Sequence, residues 1–293
     1  MESRSQTSDS TAQAITRASK SNLALAFVAL PPDRRKDISL FYAFCRIVDD
    51  ITDDPGASAP DRAEKLGAWR RGLHEEFEGE PTLAAAVREL IRKYALPVSA
   101  FEEIILGCEM DLAGTQYGTW EALRLYCYRV ASAVGLVSIE IFGCTDEKRT
   151  DYAIQLGLAL QLTNILRDVG EDLSNGRIYL PAAEMEQFGY SLEDLQARRH
   201  TPQFVELMRF QARRAAGLFA SARELLAPSD RDRAIAAEIM RAVYQKLLGK
   251  MWWSDFHVFD RRYRLGKARK LGCIASEMLG AKLGLPPRPA PRL

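Results

Sequence analysis

Histidine is almost missing from this chain. Its 293 residues include three, His74, His200 and His257, none at ligand spacing from another, which argues against a zinc site and leaves each as a surface or packing residue. Cysteine is sparse too: Cys45, Cys108, Cys127, Cys144 and Cys273 are odd in number, scattered and free of C-x-x-C spacing. They read as reduced packing residues of a cytoplasmic protein. There is no Walker or Rossmann glycine loop, and no Ser/His/Asp or Cys/His set that would supply an activated nucleophile. Neither sign of charge is in excess, since 40 Lys and Arg stand against 39 Asp and Glu for a net +1. Bulk charge therefore gives no ground for a nucleic-acid partner or a polybasic membrane anchor. The opening MESRSQTSDSTAQ lacks the apolar core of a signal peptide, and no apolar run approaches the ~18 residues of a membrane span, so a soluble protein is expected.

What the chain does have is helix. Hydrophobic residues make up 47%, enough for a substantial core, and their period is helical nearly throughout, with few alternating β-branched runs. The pattern predicts an all-α protein with helices at about 34–53, 60–78, 82–95, 98–113, 119–142, 147–173, 202–226, 229–260 and 267–282. Breaks such as PGASAP at 55–60 and SNGRIYLP at 174–181 are too short to mark a second domain. One domain over 1–293 is expected, with flexible tails at 1–15 and 284–293.

Two apolar helices carry acid. FCRIVDDITDD holds Asp49 and Asp53, and QLTNILRDVGED holds Asp168 and Asp172. At ~100° per residue, Tyr42, Arg46, Asp49 and Asp53 fall on one stripe roughly 60° wide, and Gln161, Asn164, Asp168 and Asp172 on another roughly 80° wide. A solvated face would be broad, mixed in sign and rich in Glu and Lys; these stripes are narrow and use Asp, a poor interior helix residue. Asp–Arg pairing within a bundle is the other ordinary explanation. Arg46 and Arg167 could neutralise one carboxylate each, which leaves acid over. A counter-ion is implied. The oxygen ligands Asp49, Asp53, Asp168 and Asp172, with the amide of Asn164, suit Mg²⁺, or Mn²⁺ in its place. Arg46, Arg167 and Arg177 can donate to the free oxygens of a diphosphate bridged by that cation.

At these residues the chain resembles the squalene/phytoene synthase family, the head-to-head prenyl transferases. SKSNLALAFVALPPDRR, GCEMDL, YCYRVASAVG and the RIYLP flap stand in the family's order around the two acidic segments. The resemblance implies a single isoprenoid-synthase helical bundle with a central cavity and the acidic pairs facing each other across its mouth. It implies that Asp49, Asp53, Asn164, Asp168 and Asp172 hold Mg²⁺ and two prenyl diphosphates, and that Arg46, Arg167 and Gln161 bind phosphate oxygens. Ser19 and Ser21 would contact phosphate from the N-terminal segment, and Tyr42 and Tyr126 would lie near the reacting carbons. Asp111 matches the family pattern either as a site residue or as a structural contact at a helix end. Phe256 stands where many relatives carry a tyrosine, so it would meet substrate through its ring face and not through a hydroxyl.

The activity implied is condensation of two farnesyl diphosphates to presqualene diphosphate, continuing to squalene if NADPH is used. The alternatives are phytoene formation from two geranylgeranyl diphosphates and a non-catalytic scaffold role; a class I terpene cyclase would share the bundle, but the RIYLP flap argues against it. Proton loss falls to released diphosphate or to a relay through Tyr42 or Tyr126. The stretches 101–106 and 130–142 are expected to line the cavity. Prenyl substrates imply transient contact with a membrane surface from a cytoplasmic, peripheral position, and the oligomeric state is left open.

Overall fold

The computed structural model describes residues 11–12, 14–16 and 26–286, and among these there is no strand. The main helices are α1 (Pro32–Asp53), α2 (Ala59–Gly72), α3 (Ala84–Tyr94), α4 (Val98–Leu112), α5 (Trp120–Cys127), α6 (Ala133–Phe142), α7 (Arg149–Ser174), α8 (Ala182–Gln187), α9 (Leu192–Gln196), α10 (Pro202–Leu225), α11 (Ile235–Trp252) and α12 (Lys267–Lys282). Their starts follow from local chemistry. Proline opens α1 and α10, where its missing N–H would have had no helical partner anyway, and Ser58 with Asp61 forms a capping box at α2.

α7 is the central helix, packed against α5, α6, α10 and α11. A π-helical turn, Tyr128–Ser132, joins α5 to α6 and lies against α7. Glycine permits this approach: a Cβ on Gly157 would sit 2.6 Å from the Cα of Ser132. Ser132 Oγ completes the contact by donating to the Ile154 carbonyl at 2.9 Å. On the other side of the bundle Phe101 packs its ring against Phe41 and Phe44, with centroids 5.4 and 5.3 Å away, and Phe44 meets Trp69 at 5.1 Å.

The all-α architecture is as the periodicity indicates, but several boundaries differ. The helix expected at 60–78 stops at Gly72. The one expected at 229–260 is a short turn, Pro228–Asp230, followed by α11 alone. Buried Asp230 accepts the N–H groups of Thr145 and Asp146, both at 2.8 Å, which pins that turn to the loop before α7. Beyond α11, Asp255 and Phe256 take positive φ of 49° and 54°, and the chain reverses. Helices α8 and α9 are too short for periodicity to reveal, although Ser191 and Asp194 form a capping box at α9.

The N-terminal tail also differs: Thr11–Ala12 and 14–16 are helical, and Thr16 Oγ1 donates to the Ser39 carbonyl at 3.2 Å, which docks this segment on α1. Of the expected C-terminal tail, 284–286 alone lies within the described residues. Finally, the uninterrupted helical stretch Trp120–Phe142 is long and apolar enough to cross a membrane by length and composition, contrary to the sequence expectation. In this fold it packs against α4 and α7 and walls an internal cavity.

Candidate active site

The two acidic stripes lie on α1 and α7, and they meet at a common point. Arg177 makes the link. α7 ends in a Schellman turn, in which Gly176 at φ 73° gives its N–H to the Leu173 carbonyl and Arg177 gives its N–H to the Asp172 carbonyl. That turn aims Arg177 across the mouth, where its Nη2 donates to Asp53 Oδ1 on α1 at 2.7 Å. Asp111, at the end of α4, lies between the stripes, and its charge acts on both Asp49 and Asp172. It accepts hydrogen bonds from Tyr126 Oη at 2.9 Å and Tyr179 Oη at 2.7 Å. Tyr117, Tyr126 and Tyr179 form an aromatic group with centroids 5.0 to 5.9 Å apart. Both carboxylate oxygens of Asp111 are thus held by phenols at the end of α4, with its charge felt on both stripes.

Arginines hold much of the acid. Arg46 bonds Asp49 at 3.0 Å and Asp50 at 2.5 Å. Arg167 grips Asp168 through Nε and Nη2 and also hydrogen-bonds Tyr244. Sequence reasoning missed one further cation: Arg262 donates from Nε to Asp168 at 2.9 Å and pairs with Glu171 at 2.9 Å. It arrives because the loop after α11 lies flat on α7, and Gly170 allows this, since a Cβ there would meet the Val258 carbonyl oxygen at 2.5 Å. The signal in the sequence was the cationic run DRRYR at 260–264. Asp–Arg pairing therefore goes further than two arginines would allow. Even so, the seven carboxyl groups of Asp49, Asp50, Asp53, Asp111, Asp168, Glu171 and Asp172 outnumber the four guanidiniums of Arg46, Arg167, Arg177 and Arg262, a formal excess of three negative charges when all are ionised.

Below the acid lies an apolar cavity of about 230 Å³. Its rim is Gln161 and Asn164, so the polar stripe of α7 runs directly into it; its floor includes Phe142 and Tyr152, and Ala237, Met240 and Tyr244 of α11 form one wall. Asn164 Nδ2 donates to Gln161 Oε1 at 3.3 Å, while Asn164 Oδ1 is buried without a hydrogen-bond partner. The stretch 130–142 lines the cavity as expected, with Val130, Val134, Gly135, Ser138 and Ile139 facing it. The stretch 101–106 does not: Phe101 packs against α1, and Ile104 and Ile105 are buried in the core. Phe256 is likewise absent from the cavity wall. It is fully buried, edge-on to Trp252, because the left-handed turn rotates it into the core. Tyr42 stays on the α1 stripe with Phe27 edge-on at 6.1 Å. Ser19 and Ser21 lie outside the described residues.

Burial, and after it the neighbouring carboxylates, shifts the acids. Burial, then the charge of Asp53, pushes Asp49 up to about 6 in spite of Arg46 beside it. Half of the Asp49 side chain is still exposed, so water reaches it within a cleft walled by protein and moderates the effect of burial. Burial and then Asp168 push Asp172 up to about 7, and burial raises Asp111 against its two phenol hydrogen bonds. An unfolded Asp titrates near ~3.9. Each raised group therefore favours the fold while protonated, and that contribution is lost as pH rises through its folded value. Metal-free protein should lose thermal stability between about pH 5 and pH 8, and the double substitution Asp49→Asn with Asp172→Asn should flatten the slope. Melting temperatures in chelator across that range decide it; an unchanged slope would place the titration elsewhere.

Known proteins match this chain in sequence and in fold. The family model described as squalene/phytoene synthase covers residues 16–269. The chain is 36% identical over 261 residues to 15-cis-phytoene synthase of Synechocystis sp., covering 84% of this chain and 77% of that protein. It is 34% identical over 258 residues to Phytoene synthase 1, chloroplastic, of Arabidopsis thaliana, covering 85% of this chain but 61% of that protein, so it spans less than two thirds of some curated relatives. Among solved structures, a dehydrosqualene synthase superposes with TM-score 0.80 at 27% identity over 95% of this chain and 98% of that one. Squalene synthase HpnC from Alicyclobacillus acidocaldarius gives 0.73 at 29% identity over 85% and 94%. With sequence and fold matched from the acidic helix α1 through the flap to the loop carrying Arg262, the chain belongs to the squalene/phytoene synthase family.

Proposed function

We propose that this chain joins two prenyl diphosphates head to head with the help of Mg²⁺, and that the substrate is farnesyl diphosphate, giving presqualene diphosphate. The observation that carries this reading is a cluster of carboxyl groups that outnumbers its arginine partners at the mouth of an apolar cavity. Among the described residues no three His, Cys, Asp or Glu side chains form a ready-made cation cage. Mg²⁺ suits such a site, because it is bound through one or two carboxylates and completes its shell with substrate phosphate and water. Asp49 with Asp53, and Asp168 with Asp172, would hold it, and the partnerless Asn164 Oδ1 offers a further oxygen. When bound, Mg²⁺ would neutralise diphosphate and stabilise it as a leaving group.

The residues then divide the work. Arg46, Arg167, Arg177 and Arg262 can exchange a carboxylate for diphosphate oxygens and hold the leaving group as its C–O bond breaks. The cavity beneath keeps water from the allylic cation. The alkene of the second substrate attacks, the cyclopropane closes, and one proton and one diphosphate leave. Tyr126 donates a hydrogen bond to Asp111, and burial holds its pKa well above the ordinary phenol value, so it stays a neutral phenol and is a poor base. Asp111 or the departing diphosphate is the better acceptor, with Tyr126 and Tyr179 positioning the carboxylate.

The aromatic floor, with Phe142 and Tyr152 among its side chains, favours the shorter tail. A second reading, phytoene formation from geranylgeranyl diphosphate, is supported by the names of the curated relatives. The retained acids and arginines weigh against a scaffold role. Incubation with farnesyl or geranylgeranyl diphosphate and Mg²⁺, with and without NADPH, should give a mass corresponding to presqualene diphosphate from the former and no turnover in chelator. Preference for geranylgeranyl diphosphate would establish the second reading, squalene in the NADPH arm would extend the reaction, and condensation of neither would overturn both.

A further inference from the structure

The geometry of α12 points to a membrane-docking face: we infer that this helix lies on the surface of an anionic lipid bilayer. Its inner side is committed to the bundle. Cys273 and Glu277 are buried, and Glu277 pairs with Arg231 at 3.5 Å. Its outer side is apolar. Leu271 and Leu279 each expose 59% of their surface, and Leu283 and Leu285, just beyond the helix, expose 62% and 51%. Leu271, Met278 and Leu279 fall within roughly 100° of one another on the helix surface, a continuous strip and not isolated exposure.

Charge says what covers it. Within 267–286 the sole acid is Glu277, which is buried and paired, while Lys267, Arg269 and Lys282 are exposed. The outward surface thus consists of apolar side chains and cations with no exposed carboxylate, the composition that binds an anionic interface: cations meet headgroups and leucines enter the acyl boundary. Lys267 and Lys282 stand near the strip at its two ends, where their stems can lie along it with the ammonium groups in the headgroup layer. A second copy fits poorly. A symmetric pairing would set the cations of one face against those of its twin. Position adds to the argument, because α12 packs on α11, whose Ala237, Met240 and Tyr244 wall the cavity. Docking through α12 would bring the cavity wall beside the bilayer, where an apolar tail has the shortest route between the two.

This surface is independent of the catalytic reading, and its test involves no turnover. The full chain is floated with vesicles of phosphatidylcholine alone or of phosphatidylcholine with phosphatidylglycerol. Binding is expected to the anionic vesicles, to weaken with salt, and to fall at least about tenfold in the double variant Leu271→Glu with Leu279→Glu. The control Leu192→Glu, at another exposed leucine, should bind as the parent does. Circular dichroism and melting should be unchanged in both, as these side chains contribute little to the core. Equal binding to both vesicle types, undiminished binding of the double variant, or no vesicle binding with a self-association that the double variant abolishes, would each overturn the inference.

Discussion

Asp172→Asn should lower turnover by about 10²–10³-fold, or ~3–4 kcal/mol in the barrier, yet leave the metal-free protein as stable as its parent or more so. The two halves of that expectation come from one fact. Asp168 is held by Arg167 and Arg262, Asp49 by Arg46, and Asp53 by Arg177, whereas Asp172 makes no ion pair among the described residues. Burial and the neighbouring Asp168 make its charge unwelcome and push it up to about 7. Were these stripes a lattice of structural ion pairs, the unpaired member would be the dispensable one and its amide would be harmless to activity. If they are two walls of a metal and diphosphate site, the unpaired carboxylate is the one most available to a cation. Asparagine keeps the shape, removes the charge and relieves repulsion, so stability at pH 8 should hold or rise while Mg²⁺-dependent turnover collapses. Steady-state kinetics beside melting curves in chelator separate the cases. Full activity would remove the metal role; a large loss of stability would mean that Asp172 has a cationic partner after all.

Helix geometry decides how much of this site could be read in the sequence. Asp49, Asp53, Asn164, Asp168 and Asp172 were legible as stripe members because a helix of period 3.6 makes stripe membership a matter of arithmetic, and both stripes are flanked by buried apolar side chains. Arg177 was legible as a cation just past the stripe. Its aim was not, since that depends on the left-handed turn at Gly176. Arg262 lies 94 residues from Asp168, and its arrival depends on the backbone reversal at Asp255 and Phe256 and on the space left by Gly170. The same reversal takes Phe256 out of reach of the cavity, so matching its position in the sequence misplaced it. Asp111 and its tyrosines illustrate a third limit. Tyr179 comes from the flap, Tyr126 from α5 and Asp111 from the end of α4, and no local period relates them.

Below the cavity, Glu238→Ala is expected to cost about 3–5 kcal/mol of stability. Glu238 and Arg241 are a fully buried pair: Arg241 Nε donates to the two carboxylate oxygens at 3.1 and 2.9 Å, and neither side chain exposes more than 1% of its surface. Alanine would take the bidentate carboxylate away from the guanidinium, which keeps Gln245 Oε1 at 2.9 Å and the more distant Glu277 at 4.0 Å among its other contacts. At ~2–4 °C per kcal/mol in a domain of this size, the melting temperature should fall by roughly 10 °C. Glu238→Gln, which keeps a hydrogen-bond acceptor and the volume, should cost less. The carboxylate has a second duty, since it accepts the hydroxyl of Tyr152 at 2.9 Å and so fixes a ring that forms part of the cavity floor. Once Glu238 is gone, that ring is anchored by packing alone. Assayed well below its melting point, the alanine variant should therefore gain rate with geranylgeranyl diphosphate relative to farnesyl diphosphate. Instability without any change in that ratio would leave Glu238 a packing residue and move the determinant of tail length to Phe142; an unchanged melting temperature would mean that Glu277 takes over the guanidinium.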